Sequence, residues 1–249
     1  MRDSDKICII VPCYNNADTL RAVGESVLLY CSNVIVVCDG CTDGSEDTIQ
    51  DLPDYVERII YNPNRGKSHA LQEGFKHACR KGFEYAITMD ADGQHYASDL
   101  PAFFEAIRQH HGAMIIGSRT MKQENKPTGN TFANKFSNFW FTIQTCKRLP
   151  DTQSGFRAYP IHSMGHMKLI SGRYEGELEY MVRMAWRNTP FVSVPIDVYY
   201  APEGERVSHF RKGRDFMRIS LLNTVLCLLA ICYGYPSMLI RKIMKRLRK

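Results

Sequence analysis

The residues best suited to chemistry lie in one eleven-residue stretch, Tyr85-Ala86-Ile87-Thr88-Met89-Asp90-Ala91-Asp92-Gly93-Gln94-His95. An apolar run of strand length ends in two carboxylates one residue apart, and a glycine after them lets the backbone turn. Side chains alternate faces along a strand, so Asp90 and Asp92 share a side if the extended backbone persists through Ala91. Two like charges held that close repel, and a divalent cation that prefers oxygen makes the pair favourable. Gln94 offers a neutral oxygen to the same shell. Mg²⁺ or Mn²⁺ suits such a set, because each takes few protein ligands and leaves positions for water and phosphate oxygens. The same residues also spell a surface turn in which the acids accept from local backbone donors. What separates the two is the framework that carries them.

That framework alternates. Lys6 to Val11 is a near-continuous apolar run, the pattern of a strand buried on both faces of a parallel sheet. Pro12-Cys13-Tyr14-Asn15-Asn16 breaks it, and Asp18 or Thr19 is positioned to cap a helix through Leu20, Val23 and Val27. A second apolar run, residues 33–37, ends in Cys38-Asp39-Gly40-Cys41-Thr42-Asp43-Gly44-Ser45. Arg58–Tyr61 reads as a third strand, followed by Asn64-Arg65-Gly66-Lys67-Ser68 and a helix through Ala70, Leu71, Gly74, Phe75 and Ala78. Glycine and lysine just ahead of a helix N-terminus suit an anion, although the spacing is not that of a Walker loop. After the acidic stretch come a helix from about Ser98 to Gln109 and a strand from Ala113 that ends at Arg119. Strands that alternate with helices predict an α/β, mostly parallel mixed sheet whose ligand lies across the carboxyl ends of the strands. Asp39, Lys67, Asp92 and Arg119 all fall on that edge.

Length and composition admit one large α/β domain or two small ones, with ample apolar content for a core. Nine cysteines, with a charged start and no apolar leader run after it, lead us to expect a reducing, cytosolic setting. Cys38 and Cys41 form a Cys-x-x-Cys, the spacing of a redox pair or half a zinc site, but no second such pair exists to complete a four-cysteine centre. The expectation is therefore neither redox nor zinc. The formal net charge is +6, and Arg241, Lys242, Lys245, Arg246, Arg248 and Lys249 supply all of it, with no acid in that tail. A neutral body with a basic appendage fits an anionic surface and excludes a nucleic-acid groove across the body.

Taken in order, the segments 9–16, 36–45, 64–71, 89–95, 116–119 and 151–159 resemble a family 2 glycosyltransferase with the GT-A fold, in the subgroup similar to dolichol-phosphate mannose synthase. The resemblance implies a nucleotide-diphosphate sugar donor, UDP- or GDP-linked, and a lipid-linked acceptor such as a polyprenyl phosphate. It further implies that Pro12, Tyr14 and Asp39 hold the nucleoside, that Asp90, Asp92 and Gln94 hold the metal, and that Lys67, Arg119 and Arg157 contact phosphates. An inverting outcome follows from the same resemblance. One departure stands out: the family usually has an acid where this chain has Cys38 and a serine where it has Cys41.

Glu175-Gly176-Glu177-Leu178-Glu179 opens a helix. Glu177 aligns with the family's acidic position and is the candidate base if the acceptor is a hydroxyl. A phosphate acceptor is already ionised and needs none, and acids in a first helical turn also favour the helix dipole. Residues 203–212 occupy the place of the family's lid loop, with Ser208 and Arg211 as candidate diphosphate contacts. Residues 219–240 carry no charge, a length near that of a membrane helix. Cations flank both ends and Gly234 and Pro236 interrupt the run, so a simple span is disfavoured. Instead Pro236 starts a second helix, with Leu239, Ile240, Ile243, Met244 and Leu247 on one face and cations on the other, an interfacial pattern.

We therefore expect a catalytic domain over residues 1–212 and a membrane-associating helical segment over 213–249, peripheral or monotopic on the inner, cytoplasmic face. Two rivals are a sugar nucleotidyltransferase, disfavoured because residues 12–16 supply no glycine-rich loop, and a non-catalytic nucleotide-sugar-binding module that recruits partners to a membrane. A third alternative keeps the chemistry and changes the acceptor to a hydroxyl of a polysaccharide or small molecule.

Overall fold

Apolar runs without alternation become strands covered on both sides. The computed structural model describes residues 6–119, 128–164, 167, 169–173, 175–200 and 212–247. In it Ile7–Cys13 (β1) and Val34–Asp39 (β2) are buried at every position. Glu57–Tyr61 (β3), Tyr85–Thr88 (β4), Met114–Arg119 (β5), Arg157–Pro160 (β6) and Phe191–Ile196 (β7) complete one sheet, in the order β3-β2-β1-β4-β6-β5-β7. All pairings are parallel except those of β6, which runs antiparallel between β4 and β5. The mixed, mostly parallel sheet expected from the sequence is the observed one.

The period-2 alternation of strand side chains divides the core into two layers. Ile7, Ile9, Val11, Val34, Val36 and Ile87 face Ala17–Leu28 (α1) and Leu100–Gln109 (α3), where Leu20, Val27 and Phe103 are fully buried. Cys8, Ile10, Ile35, Val37 and Ala86 face the other way, onto Lys67–Arg80 (α2), Thr128–Thr145 (α4) and Glu175–Trp186 (α6). Each fully buried large apolar side chain contributes about 1.5–3 kcal/mol. A four-residue helix, Ile161–Met164 (α5), follows β6.

Boundaries differ in informative ways. α1 begins at Ala17 after Asn16, and the Thr19 hydroxyl, a candidate cap, instead donates to the Ala91 carbonyl at 2.6 Å, tying α1 to the acidic loop. The helix expected from Ser98 starts as a 3₁₀ turn over Ala97–Asp99 before α3. At the C-terminus, Lys212–Leu229 (α7) and Tyr235–Leu247 (α8) are joined by one π-helical turn at Ala230–Gly234, so the chain is helical through Pro236 rather than broken there. Leu222, Leu226 and Ala230 are buried in the second core layer, and Gln144 Nε2 donates to Asn223 Oδ1 at 2.9 Å. The first half of the expected membrane segment is thus packed onto the catalytic body. No residue of α8 is buried.

Candidate active site

Strand order reverses between β1 and β4, both central, and in open α/β sheets the carboxyl ends of the strands at such a switch point are where ligands bind. β4 delivers the acids there. The strand itself stops at Thr88, so Asp90 and Asp92 stand on a turn rather than on continued extended backbone. Ala91 between them is buried, while both acids are half-buried at the rim. Asp92 Oδ1 accepts the Gln94 amide at 3.0 Å, the local turn bond that the sequence also allowed. Burial, and after it the charge of Asp90, pushes the Asp92 carboxyl up to about 6. Two hard carboxylates that disfavour each other's ionisation, with the Gln94 side chain two residues on, fit a Mg²⁺ or Mn²⁺ donor set.

Asp90 meets a cation of the chain itself. Lys67 Nζ, from the first turn of α2, lies 2.7 Å from Asp90 Oδ1 and 2.9 Å from Glu177 Oε2, at the start of α6. Burial of Lys67 opposes its charge, but Asp90 and Glu177 outweigh it and hold the ammonium protonated well above its usual range. Burial likewise works against ionised Asp90, and Lys67 reverses the sign, so that carboxyl sits below its usual range. Gly155 closes over the other side: a Cβ there would lie 2.4 Å from Asp90 Oδ2. Asp90 is held from both flanks.

Several residues expected to bind the donor also have partners within the chain. Asp39 is 2 % exposed, and its carboxylate accepts Arg65 N at 2.7 Å, Gly66 N at 2.7 Å and Asn64 Nδ2 at 3.0 Å. The Arg65 and Gly66 amides are backbone donors ahead of α2, where an anion was expected, and Asp39 was expected on the nucleoside. Their pairing fixes the turn that leads into α2, from whose first turn Lys67 reaches Asp90. Arg157, expected at a phosphate, is buried; it donates to Thr152 O at 3.0 Å and Tyr159 Oη at 3.3 Å and lies 3.4 Å from Glu177 Oε1. Arg119 forms a two-pronged bond to Asp151, at 2.6 and 2.9 Å, and Asp151 is almost fully buried. Glu177, the candidate base, has one oxygen toward Lys67 and the other toward Arg157. Pro12 lies buried in β1, and Tyr14 is 37 % exposed on the loop that follows. Ser208 and Arg211 lie outside the described residues.

The site therefore gathers Asp90, Asp92, Gln94, Lys67 and Glu177, with Arg119 and Arg157 bracing it. Sequence reasoning missed Asp151, Gly155, Asn64 and His95. His95 packs on Phe156, with ring centroids 5.3 Å apart, and burial above all holds its imidazole down at about 4, so it is neutral. The motif at 151–159 contained two of these four residues, but nothing in its letters says that Asp151 takes Arg119 or that Gly155 must touch Asp90.

A layered sheet with acids and a lysine at its switch point is the GT-A arrangement. Glucosyl-3-phosphoglycerate synthase from Mycobacterium tuberculosis, in a crystal structure with Mn²⁺, UDP and phosphoglyceric acid, matches it with a TM-score of 0.66 over 92 % of this chain and 78 % of that one, at 15 % identity, a likeness of fold. The glycosyl transferase family 2 model matches residues 8–163, and the chain belongs to that family and is a glycosyltransferase. Relatives include undecaprenyl-phosphate mannosyltransferase of Micrococcus luteus, 27 % identical over 80 % of this chain and 86 % of its own length. Another is UDP-N-acetylglucosamine–dolichyl-phosphate N-acetylglucosaminyltransferase of Methanococcus voltae, 25 % identical over 78 % of this chain and 86 % of its own.

Proposed function

We propose that the protein moves a sugar from a nucleotide-diphosphate sugar to a polyprenyl-phosphate acceptor at a membrane surface, with Mg²⁺ or Mn²⁺ held by Asp90, Asp92 and Gln94. The observation that carries this is the Asp90–Lys67–Glu177 array at the switch point of the sheet. Such a cation, when bound, neutralises the charge of the departing diphosphate. Lys67 supplies a fixed positive charge beside it, prepositioned by Asp90 and Glu177, so no reorganisation is needed as anionic charge develops. Glu177 has one oxygen directed at Lys67 and the other at Arg157, which makes it an anchor for Lys67. An acceptor whose nucleophilic oxygen is already ionised suits that site, and polyprenyl phosphates are the acceptors in the names of the two relatives above.

The C-terminal helix supports the membrane setting. Met217–Leu247 is long and apolar enough to cross a membrane by length and composition. Its outer side exposes Met217, Leu221, Leu228 and Ile231, and α8 continues with exposed Leu239, Ile240, Ile243, Met244 and Leu247 among its cations. Apolar side chains with interleaved lysine and arginine favour an anionic lipid interface. The basic end implies the cytoplasmic face.

Asp92→Asn tests the proposal. Ionised Asp92 is a charge the fold disfavours, so the variant should melt no lower than wild type while sugar transfer from UDP- or GDP-sugars is nearly abolished. Wild-type protein should gain thermal stability from its donor only with Mn²⁺ present. Wild-type turnover by Asp92→Asn would remove the metal assignment.

A further inference from the structure

Three thiols stand at the carboxyl ends of β1 and β2, and the transfer chemistry uses none of them. Cys13 and Cys38 are direct register partners in adjacent parallel strands, so their side chains leave the sheet on the same face. Both point into the α1 layer and are 2 % and 0 % exposed. Gly40 then turns the chain with φ +67°, so close to the Asn64 backbone that a Cβ would lie 2.3 Å from its nitrogen. The turn brings Cys41 back over the pair, with its Sγ 3.9 Å from Cys13 Sγ. All three sulfurs lie within 4.8 Å of one another, and Cys41, half-buried, is the member nearest solvent. The Cys-x-x-Cys looked incomplete in sequence because its third member sits 25 residues upstream on another strand.

We propose that Cys13, Cys38 and Cys41 form a binding site for one soft d¹⁰ cation, with Zn²⁺ the probe ion and the fourth position open on the Cys41 side. Tetrahedral zinc with bonds of about 2.3 Å to sulfur places ligand sulfurs about 3.8 Å apart, close to the separation already present. Thiolate sulfur selects such an ion, whereas the carboxylates of Asp90 and Asp92 select Mg²⁺ or Mn²⁺, so one chain sorts two metals by ligand softness. Binding deprotonates the coordinating thiols and releases the protons to solvent. An ion there would fasten the end of β1 to the end of β2. It would also fix the loops between which Asn15 Oδ1 accepts the Thr42 amide at 2.8 Å and Asp43 Oδ2 accepts the Ala17 amide at 2.9 Å. This site stands independently of which acceptor the enzyme uses.

The test is an anaerobic Co²⁺ titration of the reduced, full-length, chelator-treated protein. One equivalent should produce an intense sulfur-to-cobalt charge-transfer band in the near ultraviolet, and one equivalent of Zn²⁺ should bleach it. Cys41→Ser, at the half-exposed position where the fold tolerates change, should weaken the band. The double variant Cys38→Ser with Cys41→Ser should abolish it while Mn²⁺ still binds at Asp90 and Asp92, read by the loss of free-ion paramagnetic signal. Co²⁺ taken up without a charge-transfer band would overturn the proposal, because it would place the ion on oxygen ligands only. So would recovery of the reduced protein with a band unchanged in the double variant, or rapid formation of a Cys13–Cys41 disulfide that Zn²⁺ does not slow.

Discussion

Gly155→Ala is the sharpest perturbation that the site offers, because it adds one methyl group against one carboxylate. The new Cβ would stand 2.4 Å from Asp90 Oδ2 and 3.0 Å from Asp90 Cγ. Ordinary contact begins near 3.4 Å, so the carboxylate or the loop carrying residue 155 must retreat by about 1 Å. Asp90 cannot yield freely, since its other oxygen is held by Lys67 at 2.7 Å. A misplacement of about 1 Å at a reacting centre costs about 10²-fold, close to 2.7 kcal/mol of transition-state stabilisation. Overpacking of this kind destabilises the fold by about 1–3 kcal/mol, which lowers the midpoint by roughly 2–6 °C for a chain of this size. Assayed well below that midpoint, with a sugar nucleotide and polyprenyl phosphate across a Mn²⁺ series, the variant should lose about 10²-fold in kcat and need more Mn²⁺ for half-saturation. A kcat within about twofold of wild type at an unchanged Mn²⁺ requirement would mean that Asp90 does not act at the reacting centre.

Other expectations follow from the same geometry. Asp151→Asn leaves the partly buried Arg119 guanidinium without its counter-charge and should cost about 3 kcal/mol, read as a lower melting midpoint. Burial raises the Asp151 carboxyl, but the Arg119 bonds outweigh it and hold it below the unfolded value. Its stabilisation is therefore complete above the unfolded pKa of about 4 and lost as pH falls through the folded one, so the gap between wild type and variant should narrow on acidification below about pH 5. Glu177→Gln should slow transfer to a polyprenyl phosphate without changing the shape of the kcat–pH profile, since the Glu177 carboxylate positions Lys67. Loss of an ascending limb from that profile would make Glu177 the base. Deletion of residues 239–249 should move the protein from anionic vesicles to the supernatant in a sedimentation assay, and unchanged partitioning would assign that face to protein packing.

The sheet was legible because its strands are buried on both faces, and uninterrupted runs such as Ile7–Val11 have few other uses in a chain punctuated by helical periods. The Asp90 and Asp92 pair was legible because close carboxylates at a strand end are costly without a reason. β6 was harder: four residues with a buried arginine at their head do not read as a strand, and only pairing with Thr88 and Ile116 makes them one. The inner wiring was least legible. Asp39 reaching Gly66, Arg119 reaching Asp151 and Cys13 joining Cys41 are contacts across 27 to 32 residues, chosen by topology and not by local pattern. The π-helical turn at Ala230–Gly234 belongs with them, since Gly234 and Pro236 signal an interruption and the packing behind them decides that the helix continues.

That packing couples distant events. A Cβ at Gly234 would lie 2.5 Å from the Trp186 ring, so the C-terminal helix rests its bare backbone on the indole at the far end of α6. Ser237 Oγ donates to Trp186 O at 3.1 Å and Asn188 Nδ2 to Met238 O at 3.0 Å, fastening the junction. Glu177 sits nine residues back along α6, about 14 Å away at 1.5 Å per residue. A push that rolls or tilts the terminal rod, as seating in a lipid surface would, has one stiff lever to act through, and the lever's other end carries the carboxylate that steers Lys67.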